Sequence, residues 1–298
     1  MKNRTLVSGD YSTNIQADTI NLVFPDLSKA NINHVELLDC TLSYVNGLKS
    51  SSFLQEASLA LEHLYLFYKR GYKNNAPLYL LASLTEELAL TKMDLGEIRG
   101  EKLAAIPLFL EAGSLWKKLG NISKSLFSFH MLGVCSGIVG LNDRAIRIYR
   151  LCLSNIPKGK RYEKFQAHVS RDLGIAFNRA EMYEDSITFL NSSRNITKHW
   201  HSEFNFGLDV QKLAIAMSGF GQFDSSYRLL EQSEGILDTK DDLTYVKNLN
   251  AKHFFAIKVG DRESAIKLKM EILELCKLRG LSHQKKVVLM QDSIGKTC

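Results

Sequence analysis

The stretch that decides the fold is residues 129–157, FHMLGVCSGIVGLNDRAIRIYRLCLSNIP. Small residues, turn formers and large side chains recur along it at fixed places, namely Leu132, Gly133, Gly140, Ala145, Tyr149, Cys152 and Pro157. Gly133 predicts a close approach of two helices, Gly140 predicts the turn between them, and Pro157 ends the second helix. The stretch therefore predicts one helical hairpin, with Ala145 and Cys152 where the partner helix presses in.

Weaker copies of this pattern follow. Gly133, Gly174, Ala214 and His253 occupy equivalent places, in steps of 41, 40 and 39 residues. The predicted turns between paired helices fall at Glu181, Gly221 and Gly260. Self-similarity at a fixed period is typical of stacked helical repeats. Residues 105–121 and 53–76 indicate two earlier, degenerate units, so we expect about six hairpins.

The order and spacing of these signature residues resemble the tetratricopeptide repeat (TPR), a helix–turn–helix unit of about 34 residues. The steps in this chain exceed that length by about five to seven residues, so longer helices or longer links are expected. The resemblance implies an all-α fold, a TPR-like α-α superhelix or solenoid with a short β-type N-terminal arm. It also implies a protein-binding role without naming the partner, because such repeats bind many unrelated proteins.

The composition is that of an ordinary folded chain. Of 298 residues, 45% are hydrophobic and 23% are charged, and four prolines suit long helices. The net charge of +6 is spread over scattered lysines, which favours solvated helix faces over a nucleic-acid surface. No apolar run approaches the length of about 18 residues that spans a bilayer. The opening MKNRTLVSGD carries no signal-peptide pattern, and the five cysteines show no paired spacing. These features predict a cytoplasmic protein that contacts neither membrane nor nucleic acid.

Residues 1–27 form a polar arm of different composition. Ile20, Leu22 and Phe24 alternate with polar or smaller residues and predict a short strand that Pro25 closes, with residues 12–17 as its partner. A lone two-stranded ribbon is marginally stable in water. We therefore expect the arm to pair with a partner protein or with a second copy of the chain. The residues expected to be buried in that assembly are Ile15, Ile20, Leu22 and Phe24.

The words GDYSTNIQADTINL, residues 9–22, resemble a short motif of bacterial proteins in multi-gene phage-defence and NTPase-based conflict systems. The resemblance covers 14 residues and implies a subunit of a bacterial antiviral defence assembly. A flexible polar arm is the alternative interpretation.

Residues 28–298 are predicted to form the TPR-like domain, with the clearest repeats over 126–277. Long apolar segments at 53–68 and 78–95 predict interior helices of the stack. Polar links are expected at 156–166 and 234–246. A last helix is expected over 282–292, where Lys285 and Lys286 would keep the exposed end of the stack soluble.

No catalytic, cofactor or metal motif is found in the sequence. Gly295-Lys296-Thr297 lacks the earlier glycine and the preceding strand of a phosphate loop. His199-Trp200-His201 places its two rings on opposite sides of a helix, and a metal requires three or four converging ligands. We therefore expect a protein that is not an enzyme and that holds neither cofactor nor metal.

The first helix of each hairpin is expected to line the concave face of the stack. Side chains three to four residues apart on those helices predict a partner-binding groove, formed by His130, Val134, His168, Arg171, Asn178, Arg179, Gln211, Lys247, Asn250 and Lys258. Amides can bond both backbone groups of an extended peptide, and arginine pairs with carboxylates through two parallel bonds. The expected ligand is therefore an acidic or extended peptide segment. The lysine and asparagine pattern of the carboxylate-clamp subfamily is not reproduced.

These observations favour a protein-binding scaffold or adaptor, as a regulatory subunit of a multi-protein assembly. The alternative is a receptor for a short signalling peptide, because the long-helix repeats also resemble the peptide-sensing regulators of Gram-positive bacteria. Many of those regulators carry an N-terminal DNA-binding domain, and the region before residue 33 is too short to hold one. An enzyme with an unrecognised site is the third class.

Overall fold

The computed structural model describes residues 4–6, 12–17, 20–25, 34–51, 53–71, 77–95, 99–199, 203–237 and 242–279. The chain divides into two compact units, residues 1–148 and 149–298, with the boundary inside one helix. The helices that begin in the first unit are α1 His34–Ser50, α2 Leu54–Gly71, α3 Leu78–Asp94, α4 Arg99–Lys118, α5 Ile122–Ile138 and α6 Asn142–Asn155. Those of the second unit are α7 Glu163–Arg179, α8 Tyr183–Thr197, α9 Glu203–Gly219, α10 Phe223–Leu237, α11 Asp242–Val259 and α12 Arg262–Arg279.

Three short strands precede α1. They are β1 Arg4–Leu6, β2 Ser12–Ala17 and β3 Ile20–Pro25, in the order β1-β3-β2. β2 runs antiparallel to β3, with Ile15 opposite Leu22, so the predicted pair of strands is confirmed. β1 lies parallel to β3 on its other side and was not expected from the sequence.

The described helices amount to six consecutive pairs, which matches the predicted number of hairpins. The turns inside the last four pairs bend where the repeat pattern placed them. Gly140, Gly221 and Gly260 have φ between 79° and 90°, a left-handed conformation that glycine adopts without strain. Glu181 holds the equivalent turn with φ of 61° in spite of its side chain.

The first unit buries two successive apolar layers. The larger one joins α1, α2 and α3 through residues such as Val45, Leu61 and Leu84, which are inaccessible to solvent. The next one is centred on Phe109 and Cys135, and Ile148 of α6 packs against it. Burial of this kind contributes about 1.5–3 kcal/mol for each large side chain that is fully covered. The layers follow the chain order of the helices, as expected for stacked repeats.

In the second unit each helix packs against the next. α7 packs on α8, α9 on α10 and α11 on α12, and successive first helices also touch, α7 with α9 and α9 with α11. The three helices α7, α9 and α11 therefore present neighbouring surfaces. We call the surface that they share the first-helix face.

Two of the predicted boundaries change. The link expected over 156–166 ends earlier, because a short 3-10 helix at Lys160–Tyr162 leads into α7 at Glu163. The link expected over 234–246 is wrong at both ends. α10 continues to Leu237 and α11 begins at Asp242, because Leu237 and Val246 are buried and extend the helical packing. The helix expected over 282–292 lies outside the described residues.

Candidate peptide-binding surface

A buried ion pair joins the first-helix face between its first two hairpins. The guanidinium of Arg171 on α7 pairs through Nε with the carboxylate of Asp209 on α9. Its two other nitrogens donate to the side-chain oxygen and the backbone oxygen of Asn205, at 3.2 and 3.1 Å. Arg171 is 8% exposed and Asp209 is fully buried. The charge of Arg171 is thus neutralised inside the protein.

Asp209 also accepts from the second helix of the preceding hairpin. The hydroxyls of Ser193 and Thr197 on α8 donate to its Oδ2 atom, at 3.0 and 2.6 Å. Because buried carboxylates are costly unless they are paired and hydrogen-bonded, the full set of donors explains how Asp209 is tolerated at this depth. This network fastens one hairpin to the next.

The same link recurs one repeat later with neutral groups. Gln211 stands three residues before Ala214, as Arg171 stands three residues before Gly174. Its Nε2 atom donates to Oδ1 of Asn248 on α11 at 3.3 Å, and the hydroxyl of Ser233 donates to the same oxygen at 2.7 Å. Arg171 and Gln211 were predicted to line the groove, and the structure places both in these buried links. Their role in binding a partner stays a prediction.

The remaining cations of the first-helix face gather around Lys212. Its Nζ atom donates to Oε1 of Gln211 at 2.9 Å. Burial, followed by the positive charges of Lys247, Arg179 and Arg171, lowers the pKa of Lys212 from 10.5 to about 8. Asp172 acts in the opposite direction but does not compensate. A lysine held in this way is poised to gain from the arrival of an anion.

The other predicted groove residues of the second unit lie at different depths. Arg179 and Lys258 are exposed, and Nζ of Lys258 lies 5.5 Å above the ring of Phe254. Lys247, His168 and Asn178 are half-buried, and Asn250 is buried. Two buried oxygens on these helices, Oδ1 of Asn178 and Oγ of Ser218, make no hydrogen bond. The structure therefore brings Arg179 and Lys247 together around Lys212, and leaves Lys258 accessible on α11.

His130 and Val134 lie apart from this set in the sequence. Both are half-buried on α5, in the unit formed by residues 1–148. The structure describes no hydrogen bond or ion pair between either of them and the cations of the second unit. Their part in a common groove stays a prediction.

Charge is distributed unevenly over the two units. Residues 149–298 carry 23 of the 38 Lys and Arg residues but 18 of the 32 Asp and Glu residues, which is +5 of the net charge of +6. In the first unit the lysines of the interior helices are paired across helices. Lys49 with Glu87, Lys69 with Glu111 and Lys124 with Glu86 lie at 2.8, 2.9 and 3.3 Å. The accessible positive surface thus favours the second unit.

Lys212 was missed in the sequence. Steps of three and four residues from the glycine anchors skip the position two residues before each anchor. That position holds Asp172 in one repeat and Lys212 in the next. Opposite charges at equivalent places on adjacent first helices are the signal that could have found it.

Reactive chemistry is not indicated at the predicted core cysteines. Burial raises the pKa of the Cys135 thiol to about 11 and that of the Cys152 thiol to about 12, so both remain protonated packing groups. Over the described ranges, no group of three or more His, Cys, Asp and Glu side chains is placed to hold a metal ion. The helices in the described part of the chain are all too short or too polar to span a membrane.

No protein-family model matches the sequence, and no curated protein matches it. Solved structures do match its fold. A tetratricopeptide repeat protein from Parabacteroides merdae superposes with a TM-score of 0.58 at 11% identity, covering 88% of this chain and 93% of that one. BtubC (BKLC) from P. vanneervenii gives a TM-score of 0.56 at 13% identity, covering 84% and 93%.

A third match is a kinesin light chain protein from Podosopora anserina with nearly identical TPR-like repeats. Its TM-score is 0.56 at 17% identity, covering 69% of this chain and 97% of that one. At these identities the matches establish the architecture alone. The paired helices, the left-handed turns and the matched structures together show that the chain has the fold of a TPR-like helical repeat protein.

Proposed function

We propose that the chain is a non-enzymatic scaffold that holds an extended, acidic segment of a partner protein against the first-helix face of residues 149–298. The observation that carries this proposal is the set of cations from three successive first helices around Lys212. The TPR-like fold supports a protein-binding role in general. Because Arg171 and Asp209 neutralise each other, Arg179, Lys212, Lys247 and Lys258 supply the positive charge.

The acidic character of the ligand follows from charge balance. A cluster that brings positive groups from α7, α9 and α11 together is self-repelling until an anion enters. Carboxylates along an extended segment would meet one cation per repeat. Half-buried amides such as Asn178 would bond the backbone between them.

Selection of random peptides displayed on phage tests this proposal. We expect the selected peptides to be rich in Asp and Glu. Combined Arg179→Glu and Lys258→Glu substitutions should weaken their binding at least about tenfold, since both side chains are exposed and their reversal leaves the core intact. The matched control is Lys117→Glu with Lys118→Glu, two exposed lysines on α4 of the first unit.

Two outcomes would count against the scaffold. Selected peptides without acidic residues would remove the charge argument. An equal loss of binding in both double variants would show that the first-helix face is not where the segment lies.

The N-terminal strands belong to the proposal as an assembly element. β1 and β2 are the outer strands of the described sheet, and an outer strand is a ready template for pairing with another chain. Deletion of residues 1–27 should leave the helical circular-dichroism signal and melting temperature nearly unchanged, but lower the mass of any assembly in light scattering. A truncated protein that unfolds, or one whose assembly is unaltered, would contradict this role.

The defence context rests on the sequence words of residues 9–22 alone. We propose that the scaffold acts in the cytoplasm of a bacterium as one subunit of such a system. Neighbouring genes that encode an NTPase or a nuclease would support this context. A neighbouring gene for a small secreted peptide would point to a signalling receptor instead.

A further inference from the structure

The surroundings of Lys212 are unusual for a lysine. Its stem is buried between helices, and the charges of Arg179 and Lys247 act on it from α7 and α11. The neighbouring guanidinium of Arg171 is already neutralised by Asp209. A buried cation beside other cations is unfavourable unless an anion completes the cluster.

Lys212 is also held in position. Its amine donates to Oε1 of Gln211 at 2.9 Å, and the amide nitrogen of Gln211 donates to Oδ1 of Asn248 at 3.3 Å. Asn248 is anchored in turn by the hydroxyl of Ser233 at 2.7 Å. The chain of bonds that links α9 to α10 and α11 thus fixes the direction of the Lys212 side chain. A preorganised cation loses less conformational freedom when a ligand arrives.

We propose that one carboxylate of the bound segment pairs with Lys212 between Arg179 and Lys247, and that binding draws a proton from solvent onto the Lys212 amine. This inference rests on the proposed function and names its anchor. In the step, a neutral amine takes a proton from the buffer and becomes an ammonium, which then pairs with the carboxylate. No covalent bond forms or breaks besides that N–H bond.

The charged groups that govern this proton are known for the helices that pack on α9. α7 contributes Arg171, Asp172 and Arg179, and α11 contributes Lys247. In the described part of the chain, α8 and α10 also pack on α9 but add no charge to this set. A carboxylate at the cluster opposes the three positive groups, so it restores the proton that they and burial disfavour. Binding should therefore strengthen as the pH falls from about 9 to about 7.

Calorimetric titration with deca-glutamate near pH 8, in HEPES and in Tris, tests the inference. The two buffers release protons with different heats, so proton uptake appears as a buffer-dependent binding enthalpy. We expect about half a proton taken up per peptide. Lys212→Met should abolish the uptake and weaken binding about tenfold. The matched control, Lys198→Met at an exposed lysine after α8, should change neither.

Buffer-independent enthalpies, or a Lys212→Met variant that binds as the wild type does, would overturn the anchor. Failure of deca-glutamate to bind at all would overturn it as well. In each case the phage-selected peptides decide the scaffold function separately. If those peptides bind with acidic residues and without proton uptake, the scaffold stands and the Lys212 anchor is wrong.

Discussion

The hydroxyl of Ser186 on α8 donates a hydrogen bond to the carbonyl oxygen of Gly174 on α7, at 2.8 Å. The two residues are 12 apart in the sequence. The same bond joins Ser226 to Ala214 and Ser125 to Gly113, at 2.8 and 2.9 Å and the same separation. The recurrence shows that one packing device, a small residue facing a serine, sets the register of helices in three pairs.

Loss of this hydroxyl should weaken the repeat modestly. We expect Ser186→Ala to lower the free energy of unfolding by about 1 kcal/mol, because a buried hydrogen bond is removed without creating a large cavity. Urea denaturation measures the change. The control is Ser154→Ala, an exposed serine that bonds only the nearby carbonyl of Leu151, where the change should stay within about 0.5 kcal/mol. Equal losses at both serines would contradict the role of the interhelical bond.

The two glycines at 174 and 235 should respond in opposite ways to alanine. A Cβ atom on residue 174 would lie 2.6 Å from Cγ of Leu190 and 3.2 Å from the backbone oxygen of Ser186. Gly174→Ala should therefore cost about 1–3 kcal/mol through overpacking. Gly235 lies near the end of α10 with nothing within 4 Å of such an atom, so Gly235→Ala should gain about 0.5–1 kcal/mol. Melting temperatures that move in the same direction would show that residue 174 is not a close-packing position.

The lysine at 212 predicts a pH dependence of stability. Its pKa in the folded protein is lowered to about 8 from 10.5, first by burial and then by nearby cations. Between these values the unfolded chain holds a proton that the folded chain has released, so the free energy of unfolding rises with pH in that window. The slope from this group approaches about 1.4 kcal/mol per pH unit.

Lys212→Met removes this dependence. We expect the variant to be more stable than the wild type at neutral pH, and the difference between the two to shrink from about pH 8 to about pH 10. Denaturation of both proteins across that range gives the result. A difference that is constant with pH would mean that Lys212 titrates normally in the folded state.

The architecture was accessible from the sequence because its signals are local. Gly133, Gly174 and the turn residues report backbone geometry at their own positions, and their spacing repeats. The strand pair of the N-terminal arm was accessible for the same reason, since alternation is read over five residues. β1 was missed because three residues, RTL, carry no periodicity of their own.

The site was less accessible because burial on a first helix depends on the neighbouring repeat. Periodicity placed Arg171 on the exposed side of α7, but Asp209 of the next hairpin approaches that side and covers it. Gln211 is covered by Asn248 in the same way. Positions that one hairpin would leave exposed become interior when the next hairpin packs on them. Spacing within a single helix does not contain that information.

The central claim is that a partner segment lies on the first-helix face of residues 149–298. Photo-crosslinking tests it most directly, with p-benzoylphenylalanine in place of Arg179, Lys258, Glu184 or Glu231, all of which are exposed. The first two positions lie on α7 and α11, and the last two lie on the second helices α8 and α10. An acidic peptide from the phage selection should crosslink at 179 and 258 and not at 184 or 231. Crosslinks at 184 and 231 in place of the first two would contradict the account.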